Sequence, residues 1–227
     1  MPAGGRMDQG RYAAAWRRVQ WAMVMLALLC MAGIGVAKDR PAPAPARTVL
    51  VMGDSLSAGY GMAASQGWVA LMSARMRASH PGWRVVNASI SGETSAGGAS
   101  RIAGELARVR PAVVVVALGA NDGLRGLPLA QSRANLTRMV RAAKAAGAKV
   151  LLVGMRMPPN LGRAYTEGFE ANYRAIAQAE QVALLPFLLE PVARDPEAFQ
   201  ADDLHPTAAV QPKLRDHVWA ALAPLLK

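Results

Sequence analysis

Thr48-Val49-Leu50-Val51-Met52-Gly53-Asp54-Ser55-Leu56-Ser57-Ala58-Gly59-Tyr60-Gly61 joins a continuous apolar run to a serine set among glycines. Residues 48–52 do not alternate between apolar and polar, so they predict a strand buried on both faces, as in a parallel sheet. The glycines that follow permit tight backbone turns. A serine just past a strand and ahead of a helix can present its hydroxyl above the sheet edge, with its own N–H near the helix start. The plainer alternatives are a Gly/Ser-rich turn or a phosphate-binding loop. The P-loop spacing and G-x-G-x-x-G are both missing from this stretch, and G-x-S-x-G occurs nowhere in the chain, which disfavours an α/β-hydrolase elbow.

Further along, Trp83–Asn87, Ala112–Leu118, Lys149–Val153 and Val182–Leu185 repeat the short apolar pattern. Helical spacing fills the intervals. Leu136, Met139, Val140 and Ala143 fall at i, i+3, i+4 and i+7, while Arg138, Arg141 and Lys144 tend to other faces. Gly147 stops that helix before the next strand. A last helix near Pro212–Leu225 puts Leu214, Val218, Leu222 and Leu225 on one stripe. Strand and helix in alternation predict a single α/β domain around a parallel sheet of about five strands. In such sheets the chemistry gathers at the carboxyl ends of the strands.

A serine nucleophile needs a base, and the chain has three histidines. His80 lies between Ser79 and Pro81 with no acid close in sequence, and His217 falls inside the last helix. His205 belongs to Asp202-Asp203-Leu204-His205-Pro206, a polar loop in which a carboxylate precedes the imidazole by three residues. That spacing lets Asp202 receive the Nδ1–H while Nε2 faces a serine; a solvated, Asp-rich helix cap is the alternative. Acyl transfer also requires donors for a developing oxyanion. Gly119-Ala120-Asn121-Asp122 follows the third strand and offers the Asn121 amide. Ser91-Gly92-Glu93-Thr94 follows the second and offers the Gly92 N–H, and Ser55 supplies its own N–H. Each loop alone reads as a turn, but complementary roles at the same ends of different strands are harder to obtain by accident.

Gly53-Asp54-Ser55-Leu56-Ser57, Gly92, Gly119-x-Asn121-Asp122 and Asp202-x-x-His205-Pro206 resemble, in order, the four blocks of the SGNH (GDSL-type) hydrolases. The match looks closest to their periplasmic thioesterase, lysophospholipase and arylesterase group, and Asn87–Ser95 and Asn121–Gly126 extend it beyond the blocks. The resemblance implies a flavodoxin-like, three-layer α/β/α domain. It implies Ser55 as nucleophile, Asp202 and His205 as its partners, and Ser55, Gly92 and Asn121 as the oxyanion hole. One departure stands out: the group usually has glycine where this chain has Asp203. Either aspartate is then a candidate support for His205, and spacing favours Asp202. Expected substrate contacts are Asp54, Leu124 and Pro159, the last two within an apolar set that also includes Met62, Leu127, Pro158 and Leu161.

The expected reaction is hydrolysis of small-molecule acyl esters or thioesters, lysophospholipid among them, with no cofactor and no metal. Two rivals stand: a carbohydrate O-acetyl esterase, and a non-catalytic lipid- or glycan-binding module. The intact Ser55, Asn121 and His205 argue against the second. Upstream, Arg6, Arg11, Arg17 and Arg18 precede an apolar run from Trp21 to Ala37, with Gly35 and Ala37 at signal-peptidase spacing. Residues 1–37 therefore read as a secretory signal, with an uncleaved anchor as the alternative. Leu29 before Cys30 argues against a lipoprotein. Residues 38–47, rich in Pro and Ala, read as a stiff spacer, and 48–227 as the hydrolase domain. The product is expected to be periplasmic or secreted, without a stable membrane span. Cleavage removes Cys30, the only cysteine, so the mature domain relies on packing and not on disulfides. The formal charge of +11 becomes +8 (22 basic residues against 14 acidic) once residues 1–37 are removed. Those charges are scattered without aromatic–basic clusters, which speaks against nucleic acid and leaves peripheral contact with anionic lipid as a use for them.

Overall fold

The computed structural model describes residues 47–227 and, upstream of them, Trp16, residues 20–23 and Met25. The chain divides into two units, Met1–Pro43 and Ala44–Lys227. In the first, the described residues are helical and exposed. The rest of the expected signal segment, and residues 38–46 of the expected spacer, lie outside the described residues. Arg47, assigned to the spacer by sequence, opens the first strand, with its N–H donating to the Gly82 carbonyl at 2.8 Å.

The second unit alternates strand and helix: β1 (Arg47–Gly53), α1 (Ser55–Ala58), α2 (Trp68–Ser79), β2 (Trp83–Asn87), α3 (Ser95–Val109) and β3 (Val113–Ala117). There follow α4 (Ala120–Leu124), α5 (Leu129–Ala145), β4 (Lys149–Val153), α6 (Arg163–Glu180), β5 (Ala183–Leu185) and α7 (Gln211–Leu222). All five strands are parallel in the order β2-β1-β3-β4-β5. This is the flavodoxin-like order, whose switch point lies between β1 and β3. Helices α2 and α7 pack together, and α3, α5 and α6 pack together, giving the three layers.

Burial explains why those runs became strands. Val49–Met52 and Val113–Val116 are wholly inaccessible, covered on both faces by helices. Each such side chain contributes about 1.5–3 kcal/mol relative to exposure. In α5, Leu136, Met139, Val140 and Ala143 are buried as the periodicity requires. The last helix ends at Leu222 and tightens into a 3₁₀ turn over Ala223–Leu225; Leu214, Val218 and Leu222 are buried and Leu225 packs against the core. Gly119, the N-cap of α4 just beyond β3, has φ +116°, a conformation that side chains rarely adopt. A Cβ there would lie 2.3 Å from the Tyr173 hydroxyl, which itself donates to the Leu118 carbonyl.

Candidate active site

Ser55 is the first residue of α1, with Asp54 as the N-cap. Around it the backbone is held tightly. The Trp68 indole donates to the Leu56 carbonyl at 3.1 Å, and the Asn87 amide donates to the Ser57 carbonyl at 2.9 Å. Gly53 leaves no room for a side chain, since a Cβ there would meet Ser57 Oγ at 2.6 Å and Ser89 Oγ at 2.9 Å.

The loop 199–206 brings His205 over this serine. Nε2 lies 2.8 Å from Ser55 Oγ, and Nδ1 lies 2.6 Å from Asp202 Oδ2. The other Asp202 oxygen accepts the Leu204 and His205 N–H groups, both at 3.0 Å. These bonds, first the His205 backbone N–H and then its ring, hold the Asp202 carboxyl down at about 2. Gln200 ties the loop to the β1 side by donating to the Tyr60 carbonyl at 2.9 Å, and the Tyr60 ring packs on the imidazole with centroids 4.6 Å apart. Among the described residues the imidazole is thus fixed by a carboxylate at one nitrogen, a hydroxyl at the other and an aromatic ring on its face.

Asn121 sits in the first turn of α4, and its amide donates to the Glu93 carbonyl at 3.0 Å. An amide carries two N–H bonds, so one remains for another acceptor. Glu93 belongs to the loop after β2 and is clamped by Arg101 Nε at 2.6 Å, while Arg101 also donates to the Ala88 carbonyl. Gly92, in the same loop, has φ +79°, and Arg125 donates to its carbonyl at 3.2 Å. Behind Asn121, the buried Asp122 accepts from Ser95 N at 2.7 Å and Ser132 Oγ at 3.1 Å. That network locks α4 onto α3 and α5, and so fixes where Asn121 stands.

A groove of about 330 Å³ opens beside Ser55, Asn121 and His205. Its apolar walls include Leu56, Leu124, Met157, Pro158, Phe187 and Leu204. Leu124, an expected substrate contact, lines the groove. Pro159 does not line the groove; its neighbour Pro158 does, because residues 159–161 turn away in an exposed 3₁₀ helix. Met62, Leu127 and Leu161 are likewise outside the lining. Asp54, the third expected substrate contact, is also outside the lining. It is only 1% exposed, its carboxylate caps α1 by accepting the Leu56 N–H at 3.1 Å, and burial pushes it up to about 7. Its second oxygen has no hydrogen-bond partner among the described residues, and the carboxylate is buried away from the groove lining. The wall from Phe187 to Phe199 was missed in sequence, where Phe187-Leu188-Leu189 is the only signal and shows no period.

Among the other histidines, His80 stacks edge-on against Trp219, and His217 Nε2 lies 3.0 Å from the Phe187 carbonyl. His80 Nδ1 does lie 2.8 Å from Ser79 Oγ, its neighbour in sequence, but among the described residues only His205 is also hydrogen-bonded to a carboxylate.

Serine, imidazole and carboxylate in one hydrogen-bonded line, on the carboxyl edge of a doubly wound parallel sheet, define a class of serine hydrolases. The chain belongs to the GDSL-like lipase/acylhydrolase family, whose model matches residues 51–211. It is 52% identical over 183 residues to esterase TesA of Pseudomonas aeruginosa, covering 81% of this chain and 91% of that protein. It is 43% identical over 183 residues to thioesterase 1/protease 1/lysophospholipase L1 of Escherichia coli K12, covering 81% and 86%. A crystal structure of TesA superposes with a TM-score of 0.77 at 51% identity, covering 79% of this chain and 99% of that one.

Proposed function

We infer that the protein is an exported esterase and thioesterase that hydrolyses acyl esters through an acyl-Ser55 intermediate. The observation that carries this reading is the continuous line Asp202 Oδ2–His205 Nδ1 (2.6 Å) and His205 Nε2–Ser55 Oγ (2.8 Å) at the mouth of an apolar groove. In the first step Ser55 Oγ attacks the carbonyl carbon as His205 Nε2 takes the hydroxyl proton. Asp202 holds the ring in the tautomer that leaves Nε2 free, and stabilises the imidazolium. Negative charge on the carbonyl oxygen is met by the Ser55 and Gly92 N–H groups and the free Asn121 amide hydrogen. Collapse of the tetrahedral species expels the alcohol or thiol, which receives the proton from His205. Water then attacks the acyl-serine, giving up a proton to His205, which passes it to Ser55 Oγ as the acyl–oxygen bond breaks and the carboxylic acid leaves.

The groove favours acyl chains longer than acetyl, which sets this reading ahead of a carbohydrate O-acetyl esterase. Relatives named as esterase, thioesterase and lysophospholipase support esters, thioesters and lysophospholipid as the substrate class. Export rests on the basic and apolar N-terminal pattern, and the net positive charge supports peripheral contact with anionic lipid. Among the described residues, no helix is long and apolar enough to cross a membrane. The test is labelling by an alkyl fluorophosphonate, which requires an activated serine. One adduct on Ser55, lost in Ser55→Ala and His205→Ala, is expected; equal labelling of the variants overturns the reading.

A further inference from the structure

Two side chains of fixed charge line the groove, Arg156 and Asp203. The Arg156 guanidinium is already engaged: it lies 2.7 Å from Glu190 and 3.4 Å from Glu170, and it covers the Phe187 ring at 5.0 Å. Asp203 is exposed, and its carboxylate has no hydrogen bond or ion pair among the described residues. Its backbone is at φ +57°, one of three non-glycine residues with positive φ among those described. Such a conformation favours glycine and is tolerated by Asp and Asn. The turn imposes it, because the Asp203 N–H must reach the Gln200 carbonyl while Asp202 folds back beneath His205. The Asp203 side chain stands on the groove wall within the loop that carries His205. Arg156 is thus compensated by its carboxylate partners, and Asp203 is left as the uncompensated charge of the groove lining, in a chain whose overall charge is strongly positive.

We propose that Asp203 is a specificity residue whose unpaired carboxylate selects against substrates carrying negative charge within a few atoms of the scissile carbonyl. This rests on the esterase reading above. An anion entering the groove leaves water for apolar walls and meets a like charge there, so both effects act in the same direction. Neutral and cationic acyl groups escape the penalty.

The experiment compares p-nitrophenyl butyrate with the p-nitrophenyl monoester of succinic acid, which replaces the terminal methyl by a carboxylate. In Asp203→Asn and Asp203→Gly, both compatible with the turn, the ratio of kcat/KM for the anionic over the neutral ester is expected to rise about three- to tenfold, as for one screened unit charge nearby. Added salt should narrow the gap in the wild-type enzyme and change it little in the variants. The readout is a ratio, so a general loss in a variant cancels. A second arm needs no turnover: in a Ser55→Ala background, the affinity for decanoate relative to decanol should rise by a similar factor when Asp203 becomes Asn. Failure of wild-type turnover tells against the esterase reading and leaves this arm to decide. An unchanged ratio in both arms overturns the proposal.

Discussion

His205 follows Ser55 by 150 positions, yet its Nε2 stands 2.8 Å from the serine Oγ. The separation is spanned by the whole sheet. Ser55 leaves the end of β1, and His205 returns from beyond β5 across the switch point between β1 and β3. A rigid doubly wound core therefore sets the hydrogen bond, and loop 199–206 supplies only the last few ångströms.

Removing either partner should stop turnover without unfolding the protein. Ser55→Ala and His205→Ala are each expected to lower kcat by roughly 10⁴-fold or more, since members of such a unit fail together. Neither residue fills the core, so thermal melts should stay within about 2 °C of wild type. Asp202→Asn should cost about 10⁴-fold, through loss of the correct tautomer. Asp203→Asn should cost far less on neutral esters. Steady-state kinetics with a short aryl ester measures all four, and the reverse order of the aspartates would reassign the supporting carboxylate.

Asn121→Ala should reduce kcat by about 10²–10³-fold with a smaller change in KM, because a donor to the oxyanion acts mainly as charge develops. The amide bond to the Glu93 carbonyl complicates this: the same side chain also ties α4 to the Gly92 loop. The melting temperature separates the two roles, since loss of the oxyanion donor lowers kcat alone while loss of the tie to Glu93 also lowers stability. Wild-type kcat in Asn121→Ala, together with a lowered melting temperature, would leave only the structural role.

The strands could be read from sequence because residues such as Val113–Val116 are apolar without interruption, a pattern that only two-sided burial favours. Ser55 and Asn121 stand out because each follows a strand, and His205 because it is one of three histidines and has a carboxylate three residues before it. Other features depend on tertiary packing and leave no periodic trace. Phe187 and Leu189 form a groove wall because the segment after β5 folds back over β4. Tyr60 lies in the serine loop, but only the position of loop 199–206 puts its ring on His205. Asp54 reads as a candidate substrate contact by adjacency to Ser55, while one cap bond and burial turn it inward.

The inward Asp54 predicts a pH dependence of stability. Its carboxyl is pushed up to about 7 in the fold, mainly by burial, against about 3.9 in an unfolded chain. Between those values the folded state holds a proton that the unfolded state has lost. The contribution is therefore full below about pH 4, falls as pH rises, and is exhausted above about pH 7, a loss of up to roughly 4 kcal/mol. Asp54→Asn keeps the cap acceptor and has nothing to ionise. Its melting temperature relative to wild type should thus climb between pH 4 and pH 7.5 and then level off. A difference that stays constant across this range would show that Asp54 does not hold a proton in the fold.

The groove predicts the preferred acyl chain. With about 330 Å³ lined by Leu124, Met157, Pro158, Phe187 and their neighbours, it can cover several methylenes beyond the carbonyl. Each one buried contributes up to roughly 0.8 kcal/mol, or about fourfold in kcat/KM where the contact persists in the transition state. From p-nitrophenyl acetate through palmitate, kept below micelle-forming concentrations, kcat/KM is expected to rise by tens to hundreds over the first several carbons. It should then flatten once the chain outruns the walls. Phe187→Ala should lower the rate on the best chain more than on acetate, because acetate does not reach that ring. A monotonic fall from acetate onward would remove the acyl-groove reading and favour an acetyl esterase, since a site that bound only the carbonyl would gain nothing from longer chains.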